Sequence, residues 1–131
     1  MYAYDVSRDP LDGELANLAV EVLRLLADGT RIRLLWALSG GEQTVSALAK
    51  IVSKPQPSVS QHLAKLRMAR LVTTRRDGTQ VFYALMNDHI ERLVVDAVLN
   101  AEHAMPGVPL HHQSDDSTTR RADNQTTGAD R

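Results

Sequence analysis

Four of the chain's five histidines, His89, His103, His111 and His112, fall in its last third, and Glu102 adjoins His103. Imidazole and carboxylate donors without a thiolate suit divalent zinc, nickel or cobalt. There is no cysteine, which excludes a disulfide framework, thiolate metal sites and cysteine redox sensing. The segment from Asn87 to Ala104 carries these donors on a helical pattern. Ile90, Leu93, Val94, Ala97, Val98 and Ala101 form one wide apolar stripe, which Val95 and Leu99 extend to a further side. On such a helix His89 and His103 are only about 40° apart in projection but roughly 21 Å apart along the axis. No coordination sphere spans that length, so one helix cannot chelate with both. An antiparallel pair of helices related by a dimer axis can, because His89 of one subunit then lies beside His103 of the other. The expectation is a subunit-bridging site, present twice per dimer. Glu102 points about 100° from His103 on a regular helix and converges only if the helix unwinds before Pro106. Asp96 shares the histidine face, but Arg92 offers it an ion pair; Asn100 lies there too and is a poor ligand. Taken singly, His89 also reads as a surface residue and His111-His112 as a solvated tail.

The stretch Ser58 to Leu71 is the element such a site would act on. Val59, Leu63, Leu66 and Leu71 recur at the spacing of an amphipathic helix. Ser58, Ser60, Gln61, Ala64 and Lys65 point away from that stripe and give a short polar face with no carboxylate. A shorter helix, Thr44 to Val52, precedes it. Ser53-Lys-Pro-Gln-Pro57 separates the two as a turn, since neither proline has an N–H to continue a helix. Helix, tight turn and helix with a small polar outer face is the pattern of a DNA-reading helix-turn-helix. Beyond it, Val72 to Leu85 holds two β-prone runs flanking Asp77-Gly78, a strong two-residue hairpin signal. Arg75 and Arg76 are expected at the hairpin tip, which makes the hairpin a basic wing. Gln56, Ser60 and Gln61 are the candidate base-reading residues, Lys65, Arg75 and Arg76 the phosphate contacts, and Ser58 a further DNA-binding candidate.

The net charge of the 131-residue chain is −1, which does not advertise a nucleic-acid binder. The distribution does. No acidic residue lies between Glu42 and Asp77, whereas Lys50, Lys54, Lys65, Arg67, Arg70, Arg75 and Arg76 all do. A local field of that sign attracts phosphate whatever the total. Hydrophobic residues make up 43% of the chain, enough for one core, built mainly from Leu, Val and Ala.

Leu11, Leu15, Leu18, Val22 and Leu25 repeat at alternating helical spacings, a seam of coiled-coil type too short to stand alone. Asp28-Gly-Thr30 breaks that helix and offers a cap for the next, which carries Ile32, Leu34, Leu35 and Leu38 and ends at Gly40-Gly41. Paired first and last helices predict a two-fold homodimer. The expected fold is therefore mainly α with a small β-hairpin, a winged helix-turn-helix dimerising through its N- and C-terminal helices. It occupies residues 11–105, between a flexible N-terminus (1–10) and a largely disordered His-containing tail (106–131).

Three segments, Leu26-Ala-Asp-Gly-Thr-Arg-Ile-Arg-Leu-Leu-Trp-Ala-Leu38, Pro57-Ser-Val-Ser-Gln-His-Leu-Ala-Lys-Leu-Arg67 and Leu71-Val-Thr-Thr-Arg-Arg-Asp-Gly-Thr-Gln-Val-Phe-Tyr-Ala-Leu85, together resemble the ArsR/SmtB family of dimeric, metal-responsive winged-helix repressors. The resemblance implies an operator-binding dimer that releases double-stranded DNA when metal binds, permitting expression of metal efflux or detoxification genes. The family's thiolate site would fall near Glu42 to Ser46 and is absent, against an arsenic, cadmium or lead sensor. Asn87 and Asn100 stand where the zinc-type site usually has Asp and His, while His89 and His103 remain. The run Asn100 to Ala104, then Pro106-Gly107 and His111-His112, resembles the nickel/cobalt-sensing branch. That likeness implies His89, Glu102, His103, His111 and His112 as ligands of Ni2+ or Co2+, with Zn2+ the alternative. Gly29 stands where the family often has proline and Arg70 where it often has glycine; a positive φ at Arg70 would cost about 1 kcal/mol.

A DNA-binding regulator of the same family that senses zinc, or no metal at all, is the alternative, the histidines then being incidental or pH-sensing. There is no Cys nucleophile, Gly-rich phosphate loop or HExxH motif, so an enzyme is not expected. No apolar run approaches a membrane span and no signal-peptide pattern is present, which places the protein in the cytoplasm.

Overall fold

Short polar side chains set where the helices begin. In the computed structural model, which describes residues 10–105, Asp12 accepts from the Leu15 N–H at 3.2 Å and starts α1 (Gly13–Leu26). Asp28 accepts from the Arg31 N–H at 2.9 Å and starts α2 (Gly29–Ser39). Thr44 accepts from Ala47 at 3.2 Å and starts α3 (Val45–Val52). Asn87 accepts from Ile90 at 3.1 Å at the head of α5 (Asp88–Ala104). Each satisfies an N–H that the first turn leaves without a helical partner. Leu11 lies before α1 rather than in it.

The reading helix α4 (Gln56–Met68) departs from this scheme and corrects the expectation at both ends. Pro55 precedes it with no capping side chain, and Gln56 and Pro57 are helical, not part of the turn. A proline in the first turn removes an N–H that had no acceptor anyway. At the other end the helix stops at Met68, short of Leu71. The Leu71 N–H donates to Leu66 O at 2.9 Å and the Arg70 N–H to Arg67 O at 3.0 Å, with Arg70 left-handed at φ 61. This closure returns Leu71 to the apolar side without a further helical turn. The turn before α4 is likewise left-handed at Ser53, φ 55, where the Lys54 N–H donates to Ala49 O at 3.1 Å.

The hairpin consists of β2 (Val72–Asp77) and β3 (Gln80–Leu85), paired antiparallel with Arg75 opposite Phe82 and Asp77 opposite Gln80. The turn residues are therefore Gly78 and Thr79, one place later than Asp77-Gly78. Gly78, at φ 62, supplies the positive φ that a two-residue turn needs at its first position. Arg75 and Arg76 consequently sit within β2 and not at the tip. A strand that periodicity did not disclose, β1 (Gln43–Thr44), pairs with β3 and makes the sheet three-stranded in the order β1-β3-β2.

The chain divides into two units, one up to Val94 and one from Val95. In the first, Leu34, Leu35, Leu48, Val59, Leu63, Leu66, Val72 and Val94 are fully enclosed. These are the apolar stripes of α2, α3 and α4, closed by the base of the sheet and the first turns of α5. Leu15 and Leu18 of α1 are 54% and 59% exposed, so the early part of its seam finds no cover among the described residues. The second unit, in its described part, is the remainder of α5 and Met105; Glu102 is half-buried and His103 exposed.

Candidate nucleic-acid interface and metal-ligating residues

Burying Val59, Leu63 and Leu66 turns the opposite side of α4 outward. Gln56, Ser60, Gln61 and Lys65 are exposed there, with Ser58 half-buried at the edge. Their donors and acceptors are those that pair with base edges and phosphate in a major groove. His62 lies at the margin of this face. Its Nδ1 accepts from Arg31 NH1 at 3.3 Å, a bond between side chains. Arg31 also donates through Nε to Leu25 O, and Asp28 Oδ2 lies 4.0 Å from His62 Nδ1. The Arg31 N–H, more than any other group, holds the Asp28 carboxyl below its ordinary range. Arg31 thus joins the end of α1 to the back of α4 through its guanidinium, and bonds the cap of α2 through its backbone N–H.

The two wing arginines behave differently. Alternation along β2 sends them to opposite faces of the sheet. Arg76, exposed, lines a cleft of about 460 Å³ with Arg67, Thr74, Val45, Val81 and Tyr83, on the side toward α3 and the end of α4, and part of Arg75 borders the same cleft. Among the described residues neither Arg76 nor Arg67 meets a carboxylate. Arg75 does. Its Nε donates to Glu42 Oε1 and Oε2 at 3.0 and 2.9 Å, and NH2 donates to Oε1 as well. The guanidinium carbon sits 4.6 Å from the centroid of the Phe82 ring. Hydrogen bonding and charge from Arg75 lower the Glu42 carboxyl's pKa, and Glu42 raises that of the guanidinium. The acidic residues are therefore not all remote from the basic unit. Glu42 carries no positional signal, because its partner lies 33 residues away and the strand that brings it there is two residues long.

Of the candidate ligands, His89 lies in the first turn of α5, and Glu102 and His103 lie in the last. His111 and His112 lie outside the described residues. Among the described residues of one chain, no three His, Asp or Glu side chains are placed to share an ion. The donor chemistry, nitrogen and oxygen without sulfur, fits a divalent cation of the nickel, cobalt or zinc class.

Among the described residues no helix is long and apolar enough to cross a membrane. Residues 28–74 match the family described as "Bacterial regulatory protein, arsR family". The chain is 60% identical over 114 residues to the HTH-type transcriptional regulator KmtR of Mycobacterium tuberculosis, covering 87% of both chains. It is 39% identical over 92 residues to the HTH-type transcriptional repressor SmtB of the same species, covering 70% of this chain and 68% of that one. Its fold is similar to the homodimeric winged helix-turn-helix DNA-binding domain of a possible ArsR-family regulator from Mycobacterium bovis. The TM-score is 0.64 at 28% identity, over 76% of this chain and 93% of that one. The chain belongs to the ArsR/SmtB family: it is a transcriptional regulator, a winged helix-turn-helix homodimer that binds double-stranded DNA, and not an enzyme.

Proposed function

We propose that this protein is a nickel- or cobalt-responsive repressor, which occupies operator DNA as a dimer and leaves it when the ion binds, so that metal-efflux genes are expressed. The observation that carries the reading is the placement of His89 and His103 at opposite ends of α5. A two-fold antiparallel pairing of that helix brings the ends of two copies together, His89 of one subunit against the partner's His103. Glu102 follows His103 to the same end, and His111 and His112 are near enough in sequence to complete the set. A donor set of that size in nitrogen and oxygen suits six-coordinate nickel or cobalt better than closed tetrahedral zinc. The bound ion supplies a cross-link between subunits. The residues then govern whether two α4 helices keep the spacing of successive major grooves. Gln56, Ser60 and Gln61 are assigned to base edges in this reading, Lys65, Arg75 and Arg76 to phosphate, and Ser58 is a further DNA contact. A regulator that works on DNA in this way acts in the cytoplasm.

A coupling of about 3 kcal/mol between the two sites weakens DNA binding roughly 150-fold. The test is to titrate Ni2+, Co2+ and Zn2+ separately into a DNA-bound sample of the full chain, then into His89→Ala and into a chain ending at Gly107. Nickel or cobalt should displace the wild type and not His89→Ala. Displacement by zinc alone would reassign the metal. No displacement by any of the three would leave a DNA-binding regulator without a metal switch.

A further inference from the structure

Arg75 reaches across the whole width of the sheet. Its side chain leaves β2, passes over Phe82 of β3 and ends on Glu42, the residue before β1. Asp77 Oδ2, two residues on, lies 3.9 Å from its NH1. Arg76, on the opposite face of the same strand, has no carboxylate partner among the described residues. The wing thus carries one cation available to phosphate and one already held by an anion.

We propose that Glu42 is an internal competitor for DNA phosphate. It holds the Arg75 guanidinium in the free dimer and yields it when backbone phosphate reaches the wing, so that it lowers both DNA affinity and the salt dependence of binding. The inference rests on the reading that the wing meets the DNA backbone. Three features of the pair make the exchange feasible. Both groups are open to water, the side chains being 53% and 38% exposed, so no buried charge is stranded when they part. A phosphate offers the guanidinium fork the same pair of oxygens as a carboxylate does. The Phe82 ring supports the cation face-on whichever anion it holds.

The exchange has a thermodynamic signature. A guanidinium without a partner that neutralises a phosphate changes the slope of log K against log salt by about 0.9. A guanidinium that must leave Glu42 contributes less, because the freed carboxylate collects a cation from solution. Removing the competitor therefore steepens the slope. With two copies per dimer the limit is about 1.8, which multiplies the affinity lost between about 50 and 200 mM salt by roughly 12-fold.

The experiment measures binding of the full-length dimer to a labelled mixed-sequence duplex by fluorescence anisotropy over a series of salt concentrations. Wild type is compared with Glu42→Gln, Arg75→Gln, the double variant and Arg76→Gln. Sedimentation and melting confirm that each is a folded dimer, with Glu42→Ala as a second neutral replacement. Glu42→Gln should bind more tightly at low salt and with a steeper slope, and adding Arg75→Gln should abolish both gains. A slope unchanged in Glu42→Gln, while Arg76→Gln flattens it, overturns the competitor and leaves the wing on the DNA. Slopes unchanged in both remove the wing from the backbone, and the proposal with it. A steep slope kept by the double variant overturns the proposal too, since the gain then does not pass through Arg75.

Discussion

Replacing Arg70 by glycine should stabilise this protein. Arg70 stands at φ 61, between the end of α4 and the start of β2. The bonds around it, Arg70 N–H to Arg67 O at 3.0 Å and Leu71 N–H to Leu66 O at 2.9 Å, hold that conformation in place. They also return Leu71, only 2% exposed, to the core. The chain cannot relax the left-handed residue without withdrawing Leu71 and the strand behind it. An L-residue in this region costs about 1–2 kcal/mol. Glycine removes that cost but enlarges the freedom of the unfolded chain, an opposing effect of about 0.4–1 kcal/mol. The difference favours Arg70→Gly by roughly 0.5–1 kcal/mol, a rise in Tm of roughly 2–8 °C for a domain of this size. Arg70→Ala is the control, since it discards the same charged side chain and keeps the backbone strain. Thermal unfolding followed by circular dichroism gives the comparison. It must be made at one protomer concentration, because a dimer's midpoint moves with concentration. A glycine variant no more stable than the alanine variant would refute the assignment of strain to this backbone position.

Arg76→Ala should weaken binding to all duplexes about equally and flatten the salt slope by about 0.9 per subunit; an altered base preference in a binding-site selection would contradict that role. Gln61→Ala should do the reverse, with an unchanged salt slope and about 1–3 kcal/mol of discrimination lost at one base pair of each half-site. A selection that returns the wild-type preference would move Gln61 out of the groove. Asp28→Ala should cost about 1 kcal/mol at neutral pH through loss of the α2 cap. The carboxyl is held below its ordinary value of 3.8 in the folded chain, so its contribution is complete above that value and disappears as the pH falls through the depressed one. Urea-unfolding curves of wild type and variant should therefore converge in acid; a gap of constant size would assign the effect to packing.

Elements with a single packing solution were legible in the residues alone. Leu34, Leu35 and Leu38 in α2, and Val59, Leu63 and Leu66 in α4, repeat at the helical period and are all buried. Asp28 and Asn87 announce the helices they cap because a capping bond is local, reaching three residues along the chain. What escaped the reading was non-local or turned on a single residue. The strand β1 is two residues long and exists only because β3 lies beside it. Pro57 looked like the end of a turn and is the first turn of a helix, a position where proline is equally at home. The hairpin register moved by one residue because Gly78 alone takes the positive φ, so Asp77 stays in the ladder opposite Gln80. The ligand candidates were legible as residue types, but no one chain's described residues bring three of them together. The proposed arrangement draws on a second copy, which periodicity along one chain cannot supply.

Side-chain hydrogen bonds tie the back of the reading helix to the end of α1. The reading helix has no capping side chain of its own, and its outer face is polar. Its orientation is set from behind, by Val59, Leu63 and Leu66 in the core and by His62 at the margin. A hydrogen bond adds a restraint of fixed direction to that packing. His62 provides one, and its donor Arg31 also bonds Leu25 O near the end of α1 while the Arg31 N–H binds the Asp28 cap. The helix that carries the uncovered leucines Leu15 and Leu18 is therefore bonded at its far end to the guanidinium that steadies the back of α4.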